Sequence, residues 1–370
     1  MVSSTADRQK PRILVLIKGL GIGGAERLIS EAAPVWNRDE FDYRVAYVLP
    51  WKDQLVDDLE THQVNVTCIG GTSGLDIQTP WRLRKLIADW RPDLIHAHLP
   101  AAGILSRLST SVPTIYTEHN LADSYRQPTR TLNRLTYSRN AAVIAVSEAV
   151  NETLVGFPGP SPMVIPNGVA ASANRSGTDV REELGIGPDT PLIVHVGNIR
   201  PHKGHSNLIA ATTHLAAAMR EFLVVSIGVE KNEGDLDRLT ADATSRGVEH
   251  LIRFLGRRPD ALDFMAAADV VVNPSDVEGL PVTILEAHSL ARPVVATDVG
   301  GVASIVIDHE TGLLVSPGDP AALADAIEVA LTSPEAEGWA RSGADLVRKH
   351  HSITAMIEGY ESVYRETLSG

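Results

Sequence analysis

The stretch from Val270 to Gly301, VVVNPSDVEGLPVTILEAHSLARPVVATDVGG, constrains this chain most. Its β-branched run, Val270-Val271-Val272, stops at Asn273-Pro274-Ser275, because proline cannot donate to a sheet ladder. A loop follows, Asp276 to Leu280, and Pro281 suits the first position of a helix. Val294-Val295-Ala296 then reads as a second strand, closed by Gly300-Gly301. Strand, loop, helix and strand in this order form a parallel unit with a crossover helix.

Two glutamates stand out in that unit. Glu278 lies in the loop just ahead of the helix, and Glu286 lies on the helix among Val282, Thr283, Ser289 and Leu290. An unpaired buried carboxylate is very costly, so Glu286 must reach a partner. The plain alternative is that Glu286 reaches solvent and Glu278 is an ordinary loop acid. The sharper reading sets both beside a helix N-terminus, whose free N–H groups suit a phosphate. Carboxylates accept hydrogen bonds from sugar hydroxyls, and phosphate with hydroxyls points to a sugar nucleotide.

The same alternation runs along the whole chain. Ile13–Ile17, Tyr43–Leu49, Val64–Ile69, Leu94–Ala97, Thr114–Tyr116, Val143–Val146 and Val164–Ile165 read as strands, with helical patterns between them. A second series follows at Leu192–Val196, Phe222–Ile227, Ile252–Phe254, Val270–Val272, Val294–Ala296 and Leu313–Val315. Residues 1–11 read as a polar tail, and Ala171–Asp179 as a linker. A chain of 370 residues is too long for one ordinary core. The expected architecture is two doubly wound α/β domains. The final helix, Ile353–Leu368, carries Ile353, Met356, Ile357, Tyr360, Val363 and Tyr364 on one stripe.

Net charge of −13 argues against nucleic acid as the main partner. Cys68 is the single cysteine, fits a reducing compartment, and is expected to pack in a core. No apolar run approaches the roughly 18 residues of a spanning helix. The expectation is a cytoplasmic protein, at most peripheral at the inner face of a membrane. Between Ser124 and Ser147 the only charged residues are Arg126, Arg130, Arg134 and Arg139. They suit lipid head groups or a phosphate-bearing acceptor; the plain alternative is a solvated helix face.

Several motifs admit two readings. Gly19, Gly21 and Gly24 match G-x-G-x-x-G after a strand, a weak dinucleotide fingerprint. The second strand lacks an acid for a ribose; Trp51-Lys52-Asp53 follows it. Arg200 and Lys203 follow the first strand of the second domain, where two cations would neutralise a diphosphate. The alternative is a solvated loop. His96 and His98 share a strand face, but no third ligand appears at metal spacing. His119 also follows a strand, at the sheet edge where open α/β folds bind ligands. Asp235-Leu236-Asp237 has the D-x-D spacing of metal sites and reads better as acids capping a helix.

Taken in order, GGAERL (23–28), YTEHN (116–120), VIAVSEAV (143–150), IPNGV (165–169), VGNIRPHKG (196–204), the E-x7-E of Glu278 and Glu286, and TGLLVSPGD (311–319) resemble the retaining GT-B glycosyltransferases of family 4. The resemblance implies two Rossmann-like domains facing a central cleft. Residues 1–172 would form the acceptor side and 173–350 the nucleotide-sugar side, with 351–370 a helix crossing back. It implies a hexosyltransferase-type enzyme that moves a sugar from a UDP- or GDP-linked donor to a hydroxyl, in glycan or glycolipid biosynthesis, without cofactor or metal. By match to the family motifs, Glu278 would hold donor-sugar hydroxyls, Glu286 the ribose and Lys203 the diphosphate. His119 would stand near the reacting sugar, and Gly23 and Gly24 under the phosphates. Backbone of Gly279, Leu280, Pro281 and Val282 would approach phosphate and sugar, and Asn167 would join the donor set. The family often has arginine where this chain has Asn198; Arg200, two residues on, is the candidate replacement. A sugar-nucleotide epimerase and a nicotinamide oxidoreductase are the rival readings.

Overall fold

The computed structural model describes residues 10–71, 76–170 and 173–370. The polar tail, apart from Lys10 and Pro11, and the first two linker positions lie outside the described residues. The chain divides into two units. One comprises the residues up to Pro166 together with Ile353–Gly370; the other is Asn167–Ser352.

In the first unit the strands are β1 (Arg12–Ile17), β2 (Asp42–Tyr47), β3 (Asn65–Cys68), β4 (Leu94–His98), β5 (Thr114–Glu118), β6 (Ala142–Ala145) and β7 (Met163–Val164). They form one sheet in the order β3-β2-β1-β4-β5-β6-β7, parallel at every pairing. The second unit holds β8 (Leu192–Val196), β9 (Leu223–Ile227), β10 (Ile252–Gly256), β11 (Val270–Asn273), β12 (Val294–Thr297) and β13 (Leu313–Val315). Their order is β10-β9-β8-β11-β12-β13, again parallel. Parallel neighbours need crossover helices, and those helices cover both sheet faces. That is why Ile13–Ile17 in β1 and Val270–Val272 in β11 are unbroken apolar runs rather than alternating ones.

Strand order reverses between β1 and β4 in one unit and between β8 and β11 in the other. Outside the carboxyl ends of such strands is where doubly wound sheets take ligands. In the first unit Ile17 and His98 stand opposite each other at that point. The core of the second unit gathers Ile193, Val270 and Val295 with Trp339, from the helix Ala336–His350. The helix Ile353–Ser369 packs in the first unit. All six residues of its expected stripe are buried, and each such side chain contributes roughly 1.5–3 kcal/mol. Its Glu361 accepts hydrogen bonds from Tyr43 Oη at 2.8 Å and from the backbone N–H of Asn37 at 2.9 Å.

Two expectations are corrected. Cys68 is exposed, not packed in a core. It ends β3, the outermost strand of its sheet. The end of the expected linker is already helical: Gly177–Leu184 starts there, with Ser176 as its N-cap in a reciprocal capping box with Asp179. The Asp235-Leu236-Asp237 segment opens the helix Asp235–Ser245, with both acids in the first turn.

Candidate active site

In the second unit the chain leaves β8 at Val196 and turns back through Gly197–Gly204. Gly204 has φ of +70°, and a Cβ there would lie 1.8 Å from the carbonyl oxygen of Pro274. Only glycine lets these two loops meet so closely. Asp276 N–H donates to His202 O at 2.9 Å, joining them further. The contact brings Lys203 to Glu278: Nζ donates to Oε1 at 2.7 Å. Ser275 Oγ donates to the same Oε1, also at 2.7 Å. Thr297 in turn donates to the Ser275 carbonyl.

Behind this group, Gly300 has φ of +54°, and a Cβ there would lie 1.8 Å from Glu278 O. Gly301 N–H donates to Gly279 O at 3.0 Å. The Gly-Gly turn therefore seats the acidic loop. Glu278 is 8% exposed and Glu286 1%, so neither is an acid reaching freely into solvent. Leu280 O accepts from Asn167 Nδ2 at 3.1 Å, and Asn167 O pairs with His351 Nδ1 at 3.1 Å. The helix is Val282–Ser289, so Pro281 stands at the N-cap, one position earlier than expected. It gives no side-chain cap, which leaves first-turn N–H groups for an anion. Leu280, Pro281 and Val282 are buried. Asn198 Oδ1 accepts from Val229 N–H at 3.2 Å, and Arg200 is exposed.

In the first unit Gly23 is the N-cap of the helix Gly24–Ala32, with no side-chain cap. Gly19 lies tight on Lys52, whose carbonyl accepts from Leu20 N–H at 2.7 Å. His119 follows β5 and is 8% exposed. Its Nε2 pairs with His98 Nδ1 at 3.0 Å. His96 and His98 share a face, with rings 4.2 Å apart. His96 Nδ1 meets Tyr364 Oη at 2.6 Å, and its Nε2 meets Thr117 Oγ1 at 2.7 Å. Burial pushes His96 down to about 3, His119 to about 4, and His98 well below the ordinary histidine range. All three rings are therefore neutral at neutral pH.

One group carried no role in the sequence reading. Glu118 is wholly buried beside His119. It accepts from Tyr116 and Tyr125, each at 2.5 Å, and burial pushes its carboxyl up to about 7. Its signal was available: an acid at the end of an apolar strand, flanked by tyrosines.

The four arginines are mostly tied down locally. Arg130 pairs with Asp123, one residue outside the run that looked free of acids. Arg134 reaches Gly156 O at 3.2 Å and lies over the Phe157 ring; Arg139 reaches Arg107 O at 3.2 Å. The helix Thr129–Thr136 also exposes Leu132 and Leu135, by 41% and 70%. Among the described residues no helix is long and apolar enough to cross a membrane.

Solved structures with this architecture include the Anabaena HepE protein in complex with UDP-glucose, with TM-score 0.86, 23% identity, and coverage of 96% of this chain and 99% of that one. Another is the sucrose-phosphate synthase of Thermosynechococcus elongatus, with TM-score 0.83, 20% identity, and coverage of 97% and 99%. They define the fold as GT-B, two Rossmann-like α/β domains. Residues 22–173 match the model described as Glycosyltransferase Family 4, and residues 177–343 match Glycosyl transferases group 1. The D-inositol 3-phosphate glycosyltransferase of Corynebacterium glutamicum is 31% identical over 310 residues, which are 75% of this chain and 73% of that protein. TuaC of Bacillus subtilis, provisionally named a teichuronic acid biosynthesis glycosyltransferase, is 31% identical over 251 residues. That match spans 65% of this chain and 61% of TuaC. The chain belongs to the group 1 glycosyltransferases.

Proposed function

We propose that the protein transfers a hexose from a nucleoside-diphosphate sugar to a hydroxyl with retention of anomeric configuration, in glycan or glycolipid biosynthesis. The observation that carries this reading is the Lys203–Glu278–Ser275 cluster at the carboxyl ends of β8 and β11, beside an uncapped helix N-terminus. UDP- and GDP-linked donors both suit it, and HepE, solved with UDP-glucose, favours the uridine donor.

As the C1–O bond breaks, charge builds on the β-phosphate. Lys203, Arg200 and the N–H groups at Val282 stabilise that charge, which is where catalytic binding energy is most effective. Glu278 grips donor-sugar hydroxyls and Glu286 the ribose, while Asn167 and Gly279 hold the loop between them in shape. Gly23 and Gly24 lie under the phosphates. Neutral His119 meets a hydroxyl of the reacting sugar. Among the described residues no side chain is an obvious nucleophile; the acceptor attacks the face the diphosphate leaves, and the departing phosphate takes its proton. Protein cations do the work a metal would do. The four arginines with Leu132 and Leu135 favour peripheral contact with an anionic membrane from the cytoplasmic side.

A thermal-shift panel of UDP-, GDP- and ADP-sugars tests the donor, since a ligand at about 100 times its Kd adds about 2.7 kcal/mol to the folded state. With the stabilising donor, Lys203→Ala is expected to lose about 3 kcal/mol of transition-state stabilisation. EDTA is expected to leave turnover intact. Near-normal kcat/KM in the variant sinks the phosphate role of Lys203, and a strict need for Mg²⁺ sinks the metal-free mechanism. Sugar interconversion without acceptor would favour the epimerase, and NADH binding the oxidoreductase.

A further inference from the structure

His96 and His98 are absorbed by no step of the reaction, yet they are built into the same sheet edge as His119. His96 is locked: hydroxyls hold both of its nitrogens, and the Tyr360 ring packs edge-on at 4.9 Å. It forms a fixed wall 4.2 Å from the His98 ring. The backbone just after His98 is strained. Leu99 has φ of +69°, a left-handed conformation that costs a leucine about 1–2 kcal/mol. There β4 passes straight into the helix Leu99–Ser109, with no loop to absorb the turn. Strain of this kind persists where surrounding structure holds a residue for a purpose. The residue just before Leu99, His98, lays its ring against His119, with centroids 5.3 Å apart and planes 27° apart.

The pairing has a chemical consequence. Two neutral imidazoles that meet nitrogen to nitrogen share one proton between those atoms. If His98 Nδ1 carries it, His119 Nε2 accepts and His119 bears its own proton on Nδ1. If His119 Nε2 carries it, His119 Nδ1 is a bare acceptor. Either way the proton on His98 decides what His119 Nδ1 offers. Among the described residues no hydrogen bond to that Nδ1 is present.

We propose that His98 is a positioning residue that fixes the ring plane and tautomer of His119, so that Nδ1 meets a sugar hydroxyl with one defined hydrogen-bonding character. The effect on turnover rests on the role proposed above for His119; the effect on its tautomer does not.

The test uses full-length protein labelled with 15N-histidine, and long-range 1H–15N spectra. Loss of signals in His119→Ala assigns that ring. In the wild type His119 gives one protonated and one bare nitrogen. His98→Phe is expected to turn this into a mixture of tautomers. His98→Asn, whose amide sits near the place of Nδ1, keeps a single one. UDP release from UDP-glucose is expected to fall about tenfold or more in His98→Phe, through kcat rather than KM, and to recover in His98→Asn. An unchanged His119 pattern in folded His98→Phe overturns the proposal. If that variant does not fold, His98→Gln replaces it, because its amide reaches the place of Nε2 instead; patterns alike in Gln and Asn then overturn the proposal. Wild-type turnover in His119→Ala would refute the role of His119 in transfer and leave the spectra to decide that of His98.

Discussion

Replacing Glu118 with glutamine is expected to make the first unit more stable at high pH and to change it little at low pH. Glu118 is wholly buried. Hydroxyl donors from Tyr116 and Tyr125 favour its charged form, but burial outweighs them and lifts its carboxyl from 4.5 to about 7. In the unfolded chain the proton leaves near 4.5; in the folded one it leaves near 7. Between those values the folded state holds one proton more, so stability falls as pH rises, by about 1.36 kcal/mol per pH unit. Across the interval the loss is about 3 kcal/mol, and above it the effect is flat. The buried neutral histidines act in the opposite sense. His96, His98 and His119 take up protons on unfolding below about 6.5, so their contribution rises with pH to that point. The wild-type curve is therefore a composite, and the difference between wild type and Glu118→Gln isolates one group. Glutamine keeps the shape: its carbonyl, in the place of Oε1, accepts from Tyr125, and its amide, in the place of Oε2, donates to the Tyr116 oxygen. Urea unfolding followed by tryptophan fluorescence reads the correct unit, because Trp36, Trp51, Trp81 and Trp90 lie there and only Trp339 lies in the other. The difference between the two proteins is expected to move by about 3 kcal/mol toward the variant between pH 5 and pH 8. A difference that stays constant would refute the reasoning, and Glu118 would then be ionised across the range.

Two further outcomes follow from the second unit. Lys203→Ala leaves the Glu278 carboxylate in its loop with the Ser275 hydroxyl, at an expected cost of about 2 kcal/mol, and Glu278→Gln on that background should restore part of it. A double-mutant cycle in urea checks this, and strict additivity would mean the pair is not coupled. Gly300→Ala combines a left-handed φ with a Cβ 1.8 Å from Glu278 O, whereas Gly185→Ala meets nothing within 4 Å at φ of +64°. Scanning fluorimetry should show Gly185→Ala losing about 1 kcal/mol and Gly300→Ala clearly more; equal losses would mean the close approach is not felt.

The strands were legible because parallel sheets bury both faces and leave unbroken β-branched runs such as Ile13–Ile17 and Val270–Val272. The stripe of Ile353–Tyr364 was equally plain, since its six apolar residues recur at helical spacing and all are buried. The pairing of Lys203 with Glu278 was not legible. They are 75 residues apart and meet only because Gly204 lets two loops touch. Ser176 looked like linker, although Ser-x-x-Asp ahead of Val180 was a capping signal. The helix Ala336–His350 was hidden by Gly338 and Gly343. The second of these is glycine for a packing reason, because a Cβ there would lie 2.3 Å from His288 Nδ1. Glu118 was hidden in a motif read for its histidine.

The helix Ile353–Ser369 carries a consequence for how the protein is made. It belongs to the first unit, but Asn167–Ser352 stands before it in the chain. A ribosome working at about 5–20 residues per second needs roughly 10–40 s to deliver residues 167–370 after Pro166 has emerged. During that time β1–β7 stand without Tyr360 and Tyr364, and His96 lacks one of its two hydroxyl partners. The Asn167–Ser352 unit, contiguous in sequence, can close first. The earlier-born unit is thus the later one to mature, and until Tyr360 and Tyr364 emerge its histidine face is open to chaperones, proteases and other nascent chains.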